Sequence, residues 1–158
     1  MTSLPMLRPV RREDVRPLLA LQVAPEQANY VAPNSVTLSQ APYETGAHVF
    51  GVWNDQILVG LLAVVDNRDY QYAEHGDDPN SAYMWRLLID RKHQGRGYGR
   101  AAIMEMCQWV RARGLPRIFT SVVIGNLPAA SLYASVGFVD TGRVIDVEKE
   151  MCLQLPDQ

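Results

Sequence analysis

The sequence predicts a single mixed α/β domain, and three observations carry that expectation. Segments with strand-like and helix-like apolar patterns follow one another in the order β-α-α-β-β-β-α-β-α-β-β, as helices packed on a sheet require. A glycine-rich stretch, His93-Gln94-Gly95-Arg96-Gly97-Tyr98-Gly99-Arg100, stands between a strand pattern and the longest helical pattern. The chain of 158 residues, 47% apolar and 20% charged, supports one ordinary hydrophobic core and reads as one domain over 1–158.

The elements follow in order. Met6 to Arg12 reads as a first strand. Glu13-Asp14 places acidic residues where a helix start favours them, and Val15 to Leu21 carries an apolar helical face. Pro25 to Asn34 and Ser35 to Tyr43 read as short helical pieces interrupted at Pro33 and Pro42. Ala47 to Trp53 and Ile57 to Asp66 flank the polar turn Asn54-Asp55-Gln56 and form a hairpin. Asn67 to Ser81 is a polar, acidic loop, and Tyr83 to Asp90 a buried strand. Beyond the glycine segment a helix runs from Tyr98 to Arg113, with Ala102, Ile103, Met106, Trp109 and Val110 on one face, and Gly114 and Pro116 stop it. Arg117 to Ile124 is a strand, Pro128 to Val136 a helix closed by Gly137, and Phe138 to Thr141 and Val144 to Leu155 are the last strands.

Composition narrows the function classes. No apolar run approaches the roughly 18 residues of a membrane span, and Met1-Thr2-Ser3-Leu4-Pro5 lacks a signal-peptide core. A net charge of -2 supplies no general field for nucleic acid. Cys107 and Cys152 lie far apart without metal-ligand spacing and read as reduced thiols. The expectation is a cytoplasmic protein with no metal and with neither nucleic acid nor membrane as partner.

The chemistry starts at Gln94 to Gly99. Glycines at 95, 97 and 99 let main chain approach a ligand closely, because no Cβ intervenes. The free N–H groups of the helix start, with the positive end of the helix dipole behind them, face that ligand. This is a pyrophosphate site by geometry, and Arg96 and Arg100 add charge-assisted bonds. The same stretch also suits a tight turn. Its Gly-x-Gly-x-Gly spacing is neither the dinucleotide fingerprint nor a Walker A loop. Further on, Asn126 ends a strand and caps a helix, and Tyr133 lies two turns into it. Tyr133 suits packing, and it equally suits proton donation to a leaving thiolate.

Together these segments resemble the GCN5-related N-acetyltransferase (GNAT) family. Gln94-Gly95-Arg96-Gly97-Tyr98-Gly99 matches the family's Gln/Arg-x-x-Gly-x-Gly/Ala signature. Asn126-x-x-Ala129-x-x-Leu132-Tyr133-x-x-x-Gly137-Phe138 matches its second signature, one helix and one strand later. The resemblance covers essentially the whole chain. It implies a mostly antiparallel central sheet of six to seven strands flanked by about four helices. It also implies acetyl-coenzyme A as acetyl donor and direct transfer without an acyl-enzyme. By the same resemblance Leu87, Leu88 and Ile89 offer main chain to the pantetheine arm, and an N–H there holds the developing oxyanion. Gln94, Gly95, Arg96, Gly97, Tyr98, Gly99 and Arg100 hold the pyrophosphate. Asn126 touches the pantetheine arm, and Tyr133 protonates the thiolate. Many members of the family dimerise, and a homodimer is left open.

The acceptor is less sharply marked. Leu21 to Ser35 and Met84 to Asp90 resemble the substrate-side segments of bacterial spermidine/spermine acetyltransferases, which implies a small-molecule amine as partner. A polyamine calls for carboxylates and aromatic surface. The candidates are Glu26, Tyr30, Glu44, Asp66, Asp69, Glu74, Asp77, Asp78 and Trp85, although acidic loops are often simply solvated. Glu26 is the first candidate for binding the amine or relaying its proton, and it also suits a helix-start acid. Trp85 lines the acceptor channel, while Arg86 suits a buried ion pair. His48, His75 and His93 are unassigned, with the His93 ring expected to turn outward. The alternatives are an acetyltransferase for a protein N-terminus, an amino acid or an aminoglycoside, and a non-catalytic acetyl-coenzyme A sensor.

Overall fold

Strand β1 (Leu7–Pro9) is shorter than its sequence pattern, because Asp14 begins the helical region early. The Asp14 carboxylate accepts the Arg11 main-chain N–H at 2.9 Å, and Arg12–Asp14 turns as a 3-10 helix into α1 (Val15–Ala20). The computed structural model describes residues 6–73 and 77–157. A 3-10 turn at Pro25–Gln27 leads to α2 (Asn34–Gln40), which Ala41–Tyr43 extends as a further turn. Pro33 thus precedes the second piece, and Pro42 sits where its missing N–H is tolerated.

The hairpin β2 (Ala47–Asn54) and β3 (Ile57–Asp66) follows, then β4 (Ala82–Ile89) and the long helix α3 (Tyr98–Ala112). The chain ends with β5 (Arg117–Val123), α4 (Leu127–Val136), β6 (Val139–Ile145) and β7 (Glu148–Gln154). The last turn falls at Asp146–Val147 rather than near Gly142. A register shift between Asp140 and Val144 absorbs the glycine inside β6, and Asp146 takes the left-handed conformation (φ 54°). The strands form one seven-stranded sheet in the order β1-β2-β3-β4-β5-β7-β6, and among the described residues β4–β5 is its one parallel pair.

Helices cover both faces. On one face Ala102, Ile103, Met106 and Val110 of α3, with Tyr133 of α4, pack on Val52, Leu62, Val64, Met84 and Ile118. The 3.6-residue spacing of the α3 residues makes that stripe. Trp109 sits at its edge under His48, with ring centroids 4.9 Å apart, and beside Phe50 at 5.7 Å. On the other face Leu18 packs with Leu61 and Ala63. The alternation of β3 therefore supplies both cores: Leu62 and Val64 to one, Leu61 and Ala63 to the other. Cys107 and Cys152 are free thiols. No helix among the described residues is long and apolar enough to cross a membrane.

Asp66, fully buried at the end of β3, is held by two arginines. Arg68 donates to its carboxylate at 2.8 and 3.1 Å, and Arg113, just past α3, donates at 3.0 Å. Bonding to Arg68 most of all, with Arg113 adding to it against the cost of burial, draws the carboxyl down from 3.8 to about 2. A depressed folded-state value means that the stabilisation is whole above about pH 4 and is lost as pH falls toward about 2, an effect of ~2 kcal/mol. Asp66→Asn is expected to cost about 3 kcal/mol, since it strips two arginines of a buried partner. It should also flatten this acid limb, and urea titrations between about pH 2 and pH 5 measure both effects.

Candidate active site

The site forms because β4 stays with β3 and leaves β5. β3 pairs with β4 as far as Gly60 opposite Ile89, whereas β5 pairs with β4 only through Ala82, Tyr83 and Met84. The divergence begins at a bulge. Arg86 faces Ala63 and Met84 faces Val64, so Trp85 is an extra residue on β4, and the strand bends there. Thr120 closes the apex, its hydroxyl donating to the Met84 carbonyl at 3.0 Å. Past this point the β5 side of β4 has no strand partner, and a cavity of about 840 Å3 opens between the strands and continues to the α3 N-terminus. Unpaired main chain facing an open cleft is a ready acceptor for an amide-bearing chain.

The far end of the cavity is the glycine loop. Gly97 caps α3 with φ 85° and no side-chain cap bond, and Gly95 has φ 76°. A Cβ built at either position meets nothing within 4 Å, so the loop is a bare cradle before the first N–H groups of a 15-residue helix. These residues fit a pyrophosphate. Gln94 braces the loop, its amide donating to the Ile89 carbonyl and to the Gln27 side chain, both at 2.9 Å. Asp90 accepts the Gln22 main-chain N–H at 2.9 Å. Through Gln27 and Gln22 the segment after α1 is pinned to the end of β4, so that Gln27 to Pro33 wall the cavity.

The expected residues divide plainly. Leu87, Ile89, Gln94, Gly95, Gly97, Tyr98, Gly99, Arg100, Asn126 and Tyr133 line this cavity, as do Tyr30 and Trp85. Leu88 is buried away from it by strand alternation, and Arg96 is exposed outside it. Arg100 bonds the Ser135 hydroxyl at 2.8 Å. The Asn126 side chain caps α4 by accepting from the Ala129 N–H at 3.4 Å. Glu26 is exposed on its 3-10 turn and does not line the cavity, because the wall begins one residue later at Gln27. His93 does line it, with its ring 6.4 Å from that of Tyr98, instead of turning outward. Glu74 and His75 lie outside the described residues.

Tyr133 is 9% exposed at the inner end of the cavity, tilted against Phe138. Burial, with smaller contributions from Tyr83 and Glu148, pushes its phenol up to about 12. It is therefore a protonated donor at neutral pH.

A second cavity of about 460 Å3 adjoins the first, and Tyr83, Trp85, Arg86 and Glu148 line both. Its walls carry Glu44, Asp77, Asp78 and Glu150 together with Tyr70, Tyr72 and Phe119. Several of the acids that the sequence offers to a cationic ligand are engaged internally. Asp66 holds Arg68 and Arg113, Asp77 holds Arg143, and Asp78 holds Arg117. One oxygen of Glu44 is buried without a hydrogen-bond partner, and Glu148 accepts only a long bond from Ser121, 3.4 Å, among the described residues. Among the described residues Arg86 makes no carboxylate ion pair. It rests 4.7 Å from the Trp85 ring and donates to the Trp85 carbonyl and to Gln40. Glu148 was missed by sequence reasoning. The alternation Glu148-Lys149-Glu150, which aims both acids to one face of β7, is the signal that could have found it.

A parallel strand pair splayed at a bulge, over a glycine cradle at a helix start, defines an acetyl-coenzyme A-dependent N-acetyltransferase domain. The comparisons agree: the model of the acetyltransferase (GNAT) family matches residues 16–138, and the chain belongs to that family. It is 26% identical over 142 residues to the spermine/spermidine N(1)-acetyltransferase of Bacillus subtilis, covering 87% of this chain and 90% of that protein. Other relatives match locally. A mycothiol acetyltransferase of Acidothermus cellulolyticus is 36% identical over 75 residues, and the chain spans only 23% of its length. Of the B. subtilis N-acetyltransferase YobR the chain spans 21%. A spermidine N-acetyltransferase of Vibrio cholerae, solved with coenzyme A and spermine, superposes with a TM-score of 0.70 over 94% of each chain at 23% identity, which shows the shared fold.

Gly97→Val is expected to weaken coenzyme A binding more than tenfold, since it places a branched side chain in the cradle and strains a left-handed residue by about 1–2 kcal/mol. Calorimetric titration with coenzyme A measures it. Unchanged affinity in the folded variant would remove the pyrophosphate assignment.

Proposed function

We propose that this chain transfers the acetyl group of acetyl-coenzyme A directly to a primary amine of a small molecule, and that a polyamine such as spermidine or spermine is the acceptor. One observation carries the reading: the cavity that runs from the glycine cradle past the open edge of β4 to Tyr133 adjoins an acidic, aromatic vestibule. In this reading Gly95, Gly97, Tyr98, Gly99 and Arg100 hold the pyrophosphate, and Leu87 and Ile89 present main chain to the pantetheine arm. A β4 N–H there polarises the thioester carbonyl. Asn126 orders the turn into α4, and Tyr133 donates its proton to the leaving sulfur. Gln94 acts by bracing the loop, and Arg96 and Leu88 have only supporting places. Glu26, exposed one residue before the cavity wall, is left to meet the distal end of a long acceptor outside the cavity. Tyr30 and Trp85 supply surface for a methylene chain, and Glu44 and Glu148 meet ammonium groups. Relatives named as spermine/spermidine acetyltransferases support the acceptor class.

Arg86 favours a second reading. A half-buried arginine with no carboxylate partner among the described residues suits an acceptor that carries a carboxylate beside its amine, as an amino acid does. An acceptor screen that follows thiol release separates the two. Turnover with spermidine, spermine and diamines supports the polyamine reading, and turnover confined to carboxylate-bearing amines overturns it.

Tyr133→Phe is expected to lower kcat by about 100-fold with coenzyme A affinity unchanged, as for loss of a general acid. Because burial raises the phenol to about 12, the wild type should keep this acid through the whole neutral and mildly alkaline range. A variant with wild-type kcat across pH would take Tyr133 out of the acid role.

A further inference from the structure

Where the acceptor ammonium sends its proton is not answered by Tyr133, which must already hold a proton to do its work. At the junction of the two cavities three side chains form a line from β4 through β5 to β7. Tyr83 Oη lies 2.6 Å from Ser121 Oγ, and Ser121 Oγ donates to Glu148 Oε1 at 3.4 Å. Sheet register fixes the line: Tyr83 pairs opposite Phe119, two residues before Ser121, and Val123 pairs opposite Glu148. Either hydroxyl can donate in the shorter contact; when the single Ser121 proton points to the carboxylate, Tyr83 is the donor. Both hydroxyl protons then point toward Glu148, and the Tyr83 oxygen keeps a lone pair for a group in the cavity.

We infer that Tyr83, Ser121 and Glu148 are the path by which the acceptor ammonium is deprotonated, an inference that rests on the amine acetyltransferase reading. The ammonium gives a proton to Tyr83 Oη, the Tyr83 proton passes to Ser121 Oγ, and the Ser121 proton passes to Glu148. The nitrogen lone pair then forms the bond to the acetyl carbon. The carbon–sulfur bond breaks with its electron pair on sulfur, and Tyr133 gives its proton to that sulfur. The second amine proton, released as the amide forms, replaces the one Tyr133 gave up. Amide, thiol and one proton on Glu148 result, and the open vestibule returns that proton to water. The 3.4 Å contact is long, as relay contacts often are before substrate tightens them.

Glu148 is the carboxylate suited to this end. Asp66, Asp77, Asp78 and Glu150 each face an arginine within ion-pair distance, whereas Glu148 makes no such pair among the described residues. The charged and titratable groups around it are Tyr83 and Arg86 from β4, Tyr133 from α4, and Arg143, Glu150, Glu44, Asp77, Asp78, Tyr70 and Tyr72 across the vestibule.

Glu148→Gln, Ser121→Ala and Tyr83→Phe test the path, with kcat/KM measured from about pH 6 to pH 10 on the best acceptor of the screen. Each is expected to lose ~100-fold near neutral pH. Each should recover toward the wild type as pH approaches the ordinary amine value near ~10, where the free amine no longer needs a base. Coenzyme A titration of each variant confirms a folded donor site, and Ser121→Ala, a one-atom deletion, guards against a folding defect at Glu148. A parallel wild-type and variant pH profile overturns the relay while leaving the acetyltransferase reading intact. A loss that high pH does not rescue also overturns it, since it marks a structural role. If the wild type acetylates no amine, the reading fails and the relay falls with it.

Discussion

Strand β4 cannot satisfy both of its neighbours at once. It holds β3 to Ile89 and gives up β5 after Met84, and the extra residue Trp85 marks the place where the strand turns aside. Every part of the candidate site depends on that choice. The unpaired edge of β4 becomes the floor of the cavity, and the same bend carries the chain to Asp90 and the glycine loop, so that the N-terminus of α3 meets the cavity end-on. The split costs main-chain hydrogen bonds that a continuous parallel pair would have kept, and a ligand with amide groups is the natural replacement. The apex is held where loss would be greatest, by Thr120 on the Met84 carbonyl.

Charge is organised around the same opening. The acidic residues before β4 look, in one dimension, like a reservoir for a polycation. In three dimensions most of them staple the sheet: Asp66 ties β3 to the end of α3 through Arg113, and Asp78 ties the loop before β4 to Arg117 of β5. Among the described residues, these pairs leave Glu44 and Glu148 as the vestibule carboxylates without an arginine of their own, and Arg86 lines both cavities. In the proposed reading, acceptor preference would rest on these few groups and their balance with one arginine more than on acidic content.

The fold and the donor side were legible because their signals are local. Gly95 and Gly97, read as close-approach residues, do take left-handed conformations at a bare helix start, and the α3 stripe from Ala102 to Val110 is the core stripe. Signals that depend on partners far along the chain were not legible. Gln94 reads as a ligand group, but its amide is used on Ile89 and Gln27. Glu26 reads as a site acid, yet the wall starts beside it. Glu148 had no motif, because its place opposite Val123 and below Tyr83 exists only once β7 has paired with β5. The final hairpin was misplaced for a related reason: Gly142 suggests a turn, but a bulge accommodates it, and Asp146 makes the turn instead.

A phenol raised to about 12 is, taken alone, a poor acid for a thiolate, since an ordinary thiol sits near ~8.5 and the transfer would be uphill. In the proposed reaction the burial that raises the phenol would act on the leaving sulfur too. Desolvation disfavours any anion, and in this chain burial pushes both the Cys107 and the Cys152 thiols up by the same cause. In the proposed transfer a thiolate formed beside Tyr133 would meet the same burial that keeps Tyr133 protonated, which narrows the gap between donor and acceptor. Amine deprotonation has the opposite need, a base that stays ionised in partial contact with water. In the proposed mechanism Tyr133, buried against Phe138, and Glu148, which also lines the vestibule, would divide these two demands between them.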